Sequence, residues 1–139
     1  MEPGSYLAMN TRLFLALAVA LFCGITIAED KKADGAIHVD ANAAEKLVKE
    51  GKITVVDVRT ADEYKEGRIA GAKNIDFTEN DFEKKVSELD KSKSYLVHCG
   101  SGRRSTSSLE IFKKLGFQSI YHLDGGMKGW EAAGQPVEK

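Results

Sequence analysis

The sequence has 139 residues, with 20 Lys and Arg against 21 Asp and Glu, which gives a formal net charge of −1. This length predicts one domain with a sizeable core, and the balanced charge argues against a nucleic-acid-binding protein. The two cysteines, Cys23 and Cys99, are too few for a disulfide framework or a four-thiolate zinc site. Their positions therefore carry more information than their number.

The N-terminal segment has the pattern of an export signal. Residues 13–28 contain no charged side chain, follow a basic residue and end on a small one. The pattern predicts a signal peptide over residues 9–28, with Met9 as the natural start and residues 1–8 as an added leader. The apolar run is short for a membrane-spanning helix, which needs about 20 residues, so an uncleaved anchor is the alternative. The predicted location is periplasmic or secreted, with membrane contact only if the signal is retained.

Removal of this signal would take Cys23 away and leave Cys99 as the only thiol, although the compartment favours disulfides. Residues 29–36 are mostly polar and include a glycine, which predicts a disordered linker. The folded domain is therefore predicted over residues 37–138, and we expect it to be a monomer.

Strands and helices alternate along the predicted domain. Strands are predicted over residues 37–39, 53–58, 71–75, 94–98 and 119–122, and helices over residues 41–50, 61–66, 80–89, 104–115 and 127–133. Asp40 and Thr60 stand at the N-cap positions of the first two helices. The alternation predicts an α/β sandwich around a mainly parallel sheet, and such sheets bind ligands at the carboxyl ends of their strands.

One cysteine lies at such a strand end. Cys99 follows the strand over residues 94–98 and precedes a Gly/Ser/Arg loop over residues 100–105. Gly100 and Gly102 permit the backbone angles that turn successive N–H groups inward. Inward amides beside a helix N-terminus form an anion site, which stabilises a thiolate. The loop therefore predicts a nucleophilic cysteine that carries an anionic adduct, either a persulfide or a phosphocysteine.

The other loop side chains have narrower expected roles. Arg104 is placed to brace the loop or to help hold an anion, and Arg103 is expected to project outward and attract an anionic substrate. Ser101 and Ser105 either cap the helix or hydrogen-bond the adduct. An inert, buried Cys99 is the structural alternative, but it predicts apolar neighbours where glycine, arginine and serine stand.

Three stretches resemble the rhodanese sulfurtransferase family. Cys99-x-x-Gly102-x-Arg104 is similar to the active-site loop of that family. Residues 57–75 resemble its first signature, and residues 123–138 resemble its C-terminal signature. The three lie in the family's order and occur once, so the chain resembles a small single-domain rhodanese.

The resemblance implies a five-stranded sheet with helices on both faces and a persulfide carried by Cys99. It also implies sulfur transfer from a small anionic donor such as thiosulfate to cyanide or a thiol, without a metal or an organic cofactor. Asp57 is implied to be structural, and Arg59 is placed at the pocket rim. The family usually has His-Ile-Pro-Gly-Ala where residues 68–72 read RIAGA, a change that we expect to leave the chemistry intact.

Two alternatives stay open from the sequence. The first is a sulfur-carrier or partner-docking module that receives sulfur from another protein and turns over little thiosulfate. The second is a phosphatase or arsenate reductase of the same fold. A phosphatase loop needs Cys-x5-Arg, whereas Arg104 gives Cys-x4-Arg and Ser105 occupies the next position, so this alternative is disfavoured.

The three histidines receive no catalytic or metal-binding role. His98 alternates with Cys99 along its strand, so its side chain is expected on the opposite face, in a structural role. His38 and His122 are isolated at strand ends. No metal site is therefore predicted.

Overall fold

The computed structural model describes residues 31–139. The predicted leader, the signal peptide or anchor, and Cys23 lie outside the described residues, so those interpretations stay predictions. Within residues 31–139, no helix combines the length and the apolar character needed to cross a bilayer.

A single parallel sheet forms the centre of the described residues. Its five strands, all within residues 31–139, are β1 (Ile37–Val39), β2 (Thr54–Asp57), β3 (Lys73–Asn74), β4 (Ser94–His98) and β5 (Ser119–Leu123). Their order is β1-β5-β4-β2-β3, and every neighbouring pair is parallel. The predicted parallel sheet is confirmed, with β4 at its centre.

The helices follow the predicted order. Those that the structure describes are α1 (Ala41–Lys49), α2 (Ala61–Glu66), α3 (Phe82–Ser87), α4 (Arg103–Lys114) and α5 (Gly126–Ala132). The helix predicted over residues 80–89 spans only Phe82–Ser87. Turns with hydrogen bonds between residues three apart flank it, and in one of them the amide of Leu89 donates to Val86 O at 3.0 Å. Asp40 and Thr60 cap α1 and α2 as predicted, since their side chains accept from Ala43 N and Glu63 N.

Alternate side chains of the strands feed two apolar layers, because successive residues of a strand point to opposite faces. Val56 and Val97 pack on the face covered by α3 and α4, among Phe82, Leu109 and Phe112. Val55 and Leu96 pack on the other face with α1 and α5, among Ala44, Met127 and Trp130. The predicted three-layer α/β sandwich is confirmed.

This topology leaves a crevice at the carboxyl ends of β4 and β5. The helix that follows β4 packs on one face of the sheet, and the helix that follows β5 packs on the other. Chains that diverge in this way open a ligand site at the strand ends. Cys99 is the first residue after β4 and therefore lies in this crevice.

The segment before β1 differs from the disordered linker that its composition predicts. Ala36 is fully buried in the core layer under α4. The amine of Lys31 donates to Gln118 O, and the amine of Lys113 donates to Ala33 O at 3.0 Å. Residues 31–36 are therefore part of the domain, because one apolar side chain and several backbone groups join them to the helices and strands behind.

A buried ion pair closes the end of β2. Arg59, only 6% exposed, donates to both carboxylate oxygens of the fully buried Asp57 at 2.7–3.1 Å. The same guanidinium donates to Gly67 O at 2.7 Å. Arg59, expected at the pocket rim, thus turns its charge into the domain and ties β2 to the end of α2.

We predict that Arg59→Met strongly destabilises the fold. The substitution leaves the Asp57 carboxylate buried without its cation, a change that typically costs about 3–5 kcal/mol. Urea unfolding at neutral pH measures the loss. Arg103→Met is the matched control, because Arg103 is exposed and such substitutions stay within about 0.5 kcal/mol. Equal stabilities for the two variants would contradict the assigned role of the pair.

Candidate active site

Cys99 places its sulfur inside the loop that leads into α4. The residue is 1% exposed, and it is the free cysteine of the described residues. The amide of Gly102 donates to Sγ at 3.1 Å, and the hydroxyl of Ser105 lies 3.3 Å from it. The loop therefore surrounds the sulfur with hydrogen-bond donors, as the sequence predicts.

These donors favour the anionic form of the sulfur. Burial raises the pKa of the Cys99 thiol, but hydrogen bonds from the Ser105 hydroxyl and from the amides of Ser105, Gly102 and Ser101 outweigh it. The net pKa lies below the ordinary cysteine value. The N-terminus of α4, a helix of 12 residues, adds a positive dipole end beside the sulfur.

The N-terminus of α5 holds the loop in this conformation. The amide of Met127 donates to Cys99 O at 2.8 Å, and the amide of Lys128 donates to Gly100 O at 3.0 Å. The loop carbonyls thus point toward α5 while the loop amides point toward the sulfur. Gly126 permits this contact, since a Cβ there would lie 2.6 Å from Cys99 O. Its φ of +58° also favours glycine.

Arg104 braces the loop through an ion pair with α2. Its guanidinium donates to both carboxylate oxygens of Glu63, at 2.7 and 3.0 Å. The hydrogen bond from Arg104 is the largest cause that lowers the pKa of Glu63 from 4.5 to about 2. Of the two roles expected for Arg104, the structure shows the bracing one. Glu63 also completes the capping box of α2 with Thr60.

The remaining loop residues lie at the mouth of the crevice. Ser101 and Arg103 are exposed and border a depression that also includes Gly102. A second depression borders the loop at Gly100 and is also lined by Arg59, Gly67 and Lys128. Arg103 therefore has the outward position that the sequence predicts, and its role toward a substrate stays a prediction.

Ser105 connects the sulfur to a cluster that the sequence did not identify. Its buried hydroxyl lies 2.8 Å from His122 Nε2. His122 Nδ1 lies 2.8 Å from Asp124 Oδ1. The same oxygen lies 2.7 Å from His38 Nδ1, and His38 Nε2 lies 2.8 Å from Asp34 Oδ2. His122 and His38 are far apart in the sequence and are not expected to interact. In the structure they share one hydrogen-bond network with the active-site loop.

Ligand-type atoms of His38, His122 and Asp124 lie within 4.8 Å of one another, a spacing that a metal ion could use. The hydrogen bonds of 2.7 and 2.8 Å join these same atoms, so the cluster satisfies its own polar groups. A local signal for the cluster existed, because His38 and His122 both occupy ends of predicted strands. Only the pairing of β1 with β5, which sets these two residues side by side, reveals the contact.

His98 contributes to the core behind the loop. It is fully buried, its Nδ1 donates to Cys99 O at 3.0 Å, and its Nε2 lies 3.7 Å from Asp57 Oδ2. This Nε2 has no hydrogen-bond partner within the described part of the chain. Burial is the largest cause that lowers the pKa of His98. The neutral ring therefore fits the structural role predicted for it.

Comparison with known proteins finds one family, several related sequences and several similar structures. The rhodanese-like domain family matches residues 40–133. The thiosulfate sulfurtransferase GlpE of Vibrio cholerae is 27% identical over 106 residues, which cover 76% of this chain and 97% of that protein. A Bacillus subtilis protein named "Putative sulfur carrier protein YrkF" is 31% identical, over 62% of this chain and 45% of that protein. The crystal structure of a rhodanese-related protein of Thermoplasma volcanium is similar with a TM-score of 0.66 and 32% identity, over 73% of this chain and 96% of that one.

We predict that Gly126→Ala disrupts the cysteine loop. The new Cβ would lie 2.6 Å from Cys99 O, so either the loop or the start of α5 must move. Thermal unfolding and the alkylation rate of Cys99 measure the effect. Gly134→Ala is the matched control, because Gly134 also has positive φ (+72°) but faces open space. Both variants carry about 1–2 kcal/mol of backbone strain, and Gly126→Ala is expected to lose about 1–3 kcal/mol more.

Only Gly126→Ala is expected to slow the alkylation of Cys99. If the two glycine variants alkylate equally fast, the contact between α5 and the loop does not control the sulfur.

We predict that Glu63→Gln removes a pH-dependent part of the stability. Since the folded pKa of about 2 lies below the ordinary 4.5, the contribution is present above pH 4.5 and is lost as the pH falls toward 2. The pair is 31% and 38% exposed, so we expect at most about 1 kcal/mol. The free energies of unfolding of the parent and Glu63→Gln, measured in urea between pH 7 and pH 2, should converge at the acid end. Glu66→Gln is the matched control, because Glu66 lies one turn along α2 and is exposed. Its free energy of unfolding should change with pH in parallel with that of the parent.

Proposed function

Because this chain belongs to the rhodanese-like domain family, we propose that it moves a sulfane sulfur from thiosulfate to a thiophilic acceptor through a persulfide on Cys99. The observation that carries the proposal is the ring of donors around Sγ, in which loop amides and the Ser105 hydroxyl face one buried sulfur. Such a ring stabilises negative charge on the attacking thiolate and on the terminal sulfur of a persulfide.

The first step loads the sulfur. The Cys99 thiolate attacks the outer sulfur of thiosulfate, a new S–S bond forms, and the sulfur–sulfur bond of thiosulfate breaks. The electron pair of that bond leaves with sulfite. The loop amides then face the anionic terminal sulfur of the persulfide, and the exposed Arg103 at the crevice mouth attracts the dianionic donor.

The second step unloads it. Cyanide or a thiolate attacks the terminal sulfur, and the bond between this sulfur and Sγ breaks. The electron pair returns to Cys99 as thiolate, where the same donors stabilise it. The reaction is therefore a two-step exchange with a covalent intermediate, and none of its steps requires a metal or an organic cofactor.

The geometry favours sulfur over phosphate as the group transferred. The Arg104 guanidinium is engaged by both oxygens of Glu63, so it is not free to bind three phosphate oxygens. Cys99 is 1% exposed, and a small incoming atom fits such an enclosed position better than a phosphoryl group. The phosphatase alternative therefore stays disfavoured.

A sulfur-carrier role is the second candidate. The likeness to YrkF supports it, since that protein's name describes a sulfur carrier. A carrier would use the same Cys99 persulfide but would receive or deliver the sulfur in contact with another protein. We further propose that the domain acts as an exported monomer, on the basis of the signal-like residues 9–28.

The decisive experiment combines turnover with the mass of the intermediate. Thiocyanate formation from thiosulfate and cyanide should be brisk for the parent protein and fall by about 10³-fold or more in Cys99→Ala, because the nucleophile is lost. Mass spectrometry without acceptor should show one additional sulfur atom on the parent and none on the variant. Ser107→Ala, an exposed hydroxyl on α4, is the control and should retain activity.

Other results separate the alternatives. Loading of one sulfur atom with negligible thiocyanate formation would favour the carrier role. Hydrolysis of an aryl phosphate at a rate comparable to sulfur transfer would contradict both sulfur-based functions. Full activity in Cys99→Ala would overturn the persulfide mechanism.

A further inference from the structure

A continuous chain of hydrogen-bonding groups leads away from the cysteine sulfur. Ser105 Oγ lies 3.3 Å from Cys99 Sγ and 2.8 Å from His122 Nε2. On the other side of that ring, Nδ1 lies 2.8 Å from Asp124 Oδ1, and this oxygen lies 2.7 Å from His38 Nδ1. Serine, histidine and aspartate thus align as in a proton relay, with the sulfur as its last member.

The hydroxyl of Ser105 cannot serve all its neighbours at once. It lies within hydrogen-bond distance of Cys99 Sγ, His122 Nε2 and Gly102 O, the last at 3.2 Å. A serine hydroxyl has one hydrogen to donate. When that hydrogen points to His122 Nε2, the sulfur loses a donor. When it points to the sulfur, the oxygen must accept a hydrogen from Nε2.

Asp124 fixes which nitrogen of His122 already carries hydrogen. An ionised carboxylate only accepts hydrogen bonds, so Nδ1 of His122 is the donor in the 2.8 Å contact with Asp124. Nε2 is then free to accept from Ser105 in the neutral ring. Its protonation produces an imidazolium that remains hydrogen-bonded on both sides. The orientation of the ring therefore matches a base that takes one proton through Ser105.

Burial favours the neutral form of His122. Burial is the largest cause that lowers its pKa, the hydrogen bond to Asp124 raises it, and the nearby His38 lowers it. The net pKa lies below the ordinary histidine value. The titratable or charged groups near this ring are Asp34, His38, His98 and Asp124. Arg103 lines the same depression, and Cys99 lies beyond Ser105.

We propose that Ser105 and His122, oriented by Asp124, form a proton relay that converts the Cys99 thiol into the thiolate. The thiol proton passes from Sγ to Ser105 Oγ as the original hydroxyl proton passes from Oγ to His122 Nε2. One proton leaves the sulfur and one arrives at the imidazole, so charge balances and no electron is transferred. The product is a thiolate and an imidazolium separated by one hydroxyl, with the hydroxyl donating to the sulfur.

The relay deepens the proposed sulfurtransferase function and rests on it. When the acceptor removes the outer sulfur, Cys99 leaves as a thiolate, and the proton stored on His122 returns along the same path when the resting thiol re-forms. His122 reaches the sulfur only through Ser105, although it also lines the depression at the crevice mouth. It is therefore a positioning and proton-holding residue that acts through Ser105.

The test is the pH profile of Cys99 alkylation by iodoacetamide, which requires no sulfur donor. At about pH 6.5, we expect His122→Gln to alkylate about tenfold more slowly than the parent, because less of its thiol is ionised. The midpoint of the profile should move to higher pH. Ser105→Ala should show a similar loss, and the double variant should lose no more than either single one, since both break the same path. Ser107→Ala, on the exposed side of α4, should follow the parent.

Several results would overturn the relay. These are a profile of His122→Gln that superimposes on the parent, equal slowing at every pH without a shift of the midpoint, and additive losses in the double variant. A second measurement covers variants that fold poorly. The His122 ring is titrated by NMR in the parent and in Cys99→Ala, and its midpoint should fall when the thiolate is absent. An unchanged midpoint would contradict the relay.

The alkylation assay also separates this proposal from the proposed function. A normal shift in the profile combined with no thiocyanate formation would leave the relay standing and overturn thiosulfate turnover. Normal thiocyanate formation with no shift of the alkylation midpoint in His122→Gln would overturn the relay and leave the proposed function standing.

Discussion

Two hydrogen bonds from the first turn of α5 determine how the cysteine loop can act. They fix the carbonyls of Cys99 and Gly100 on the outside of the loop, and a peptide plane whose carbonyl points outward directs its N–H inward. Among the donors that face the sulfur, the amide of Ser101 shares a peptide plane with Gly100 O and is therefore oriented by a contact outside the loop. That contact needs the backbones to approach so closely that only glycine fits at position 126.

Local patterns in the sequence account for much of the fold. The strand over residues 94–98 has the same bounds as β4, because an apolar run between Ser94 and His98 defines its own ends. The caps at Asp40 and Thr60 are equally local. The edge strand predicted over residues 71–75 is only Lys73–Asn74 in the structure. It pairs with β2 alone, and the residues before it form a turn. The polar composition of residues 29–36 does not indicate the burial of Ala36, which depends on a helix far along the chain.

The site follows the same division between local and distant information. The cysteine, its glycines and the outward Arg103 could be read from one continuous motif, since a strand, a tight loop and a helix follow each other there. Glu63 and His122 could not. Each belongs to another element, and only the sheet order and the helix placement bring it to the loop. A hydrogen-bond partner across a sheet leaves no spacing rule in the sequence.

The pairing of Arg104 with Glu63 has a consequence for how the site responds to its surroundings. The cation beside the sulfur is neutralised by a carboxylate, so the anion is held by the dipoles of uncharged amides at a buried position. Salt screens exposed charges strongly and buried dipoles weakly. Under the proposed function, ionic strength would act on the approach of an anionic donor to Arg103 and hardly on the stabilisation of an anionic sulfur at Cys99. Attraction of a donor at the crevice mouth and stabilisation of an anionic sulfur inside the loop are therefore physically separate.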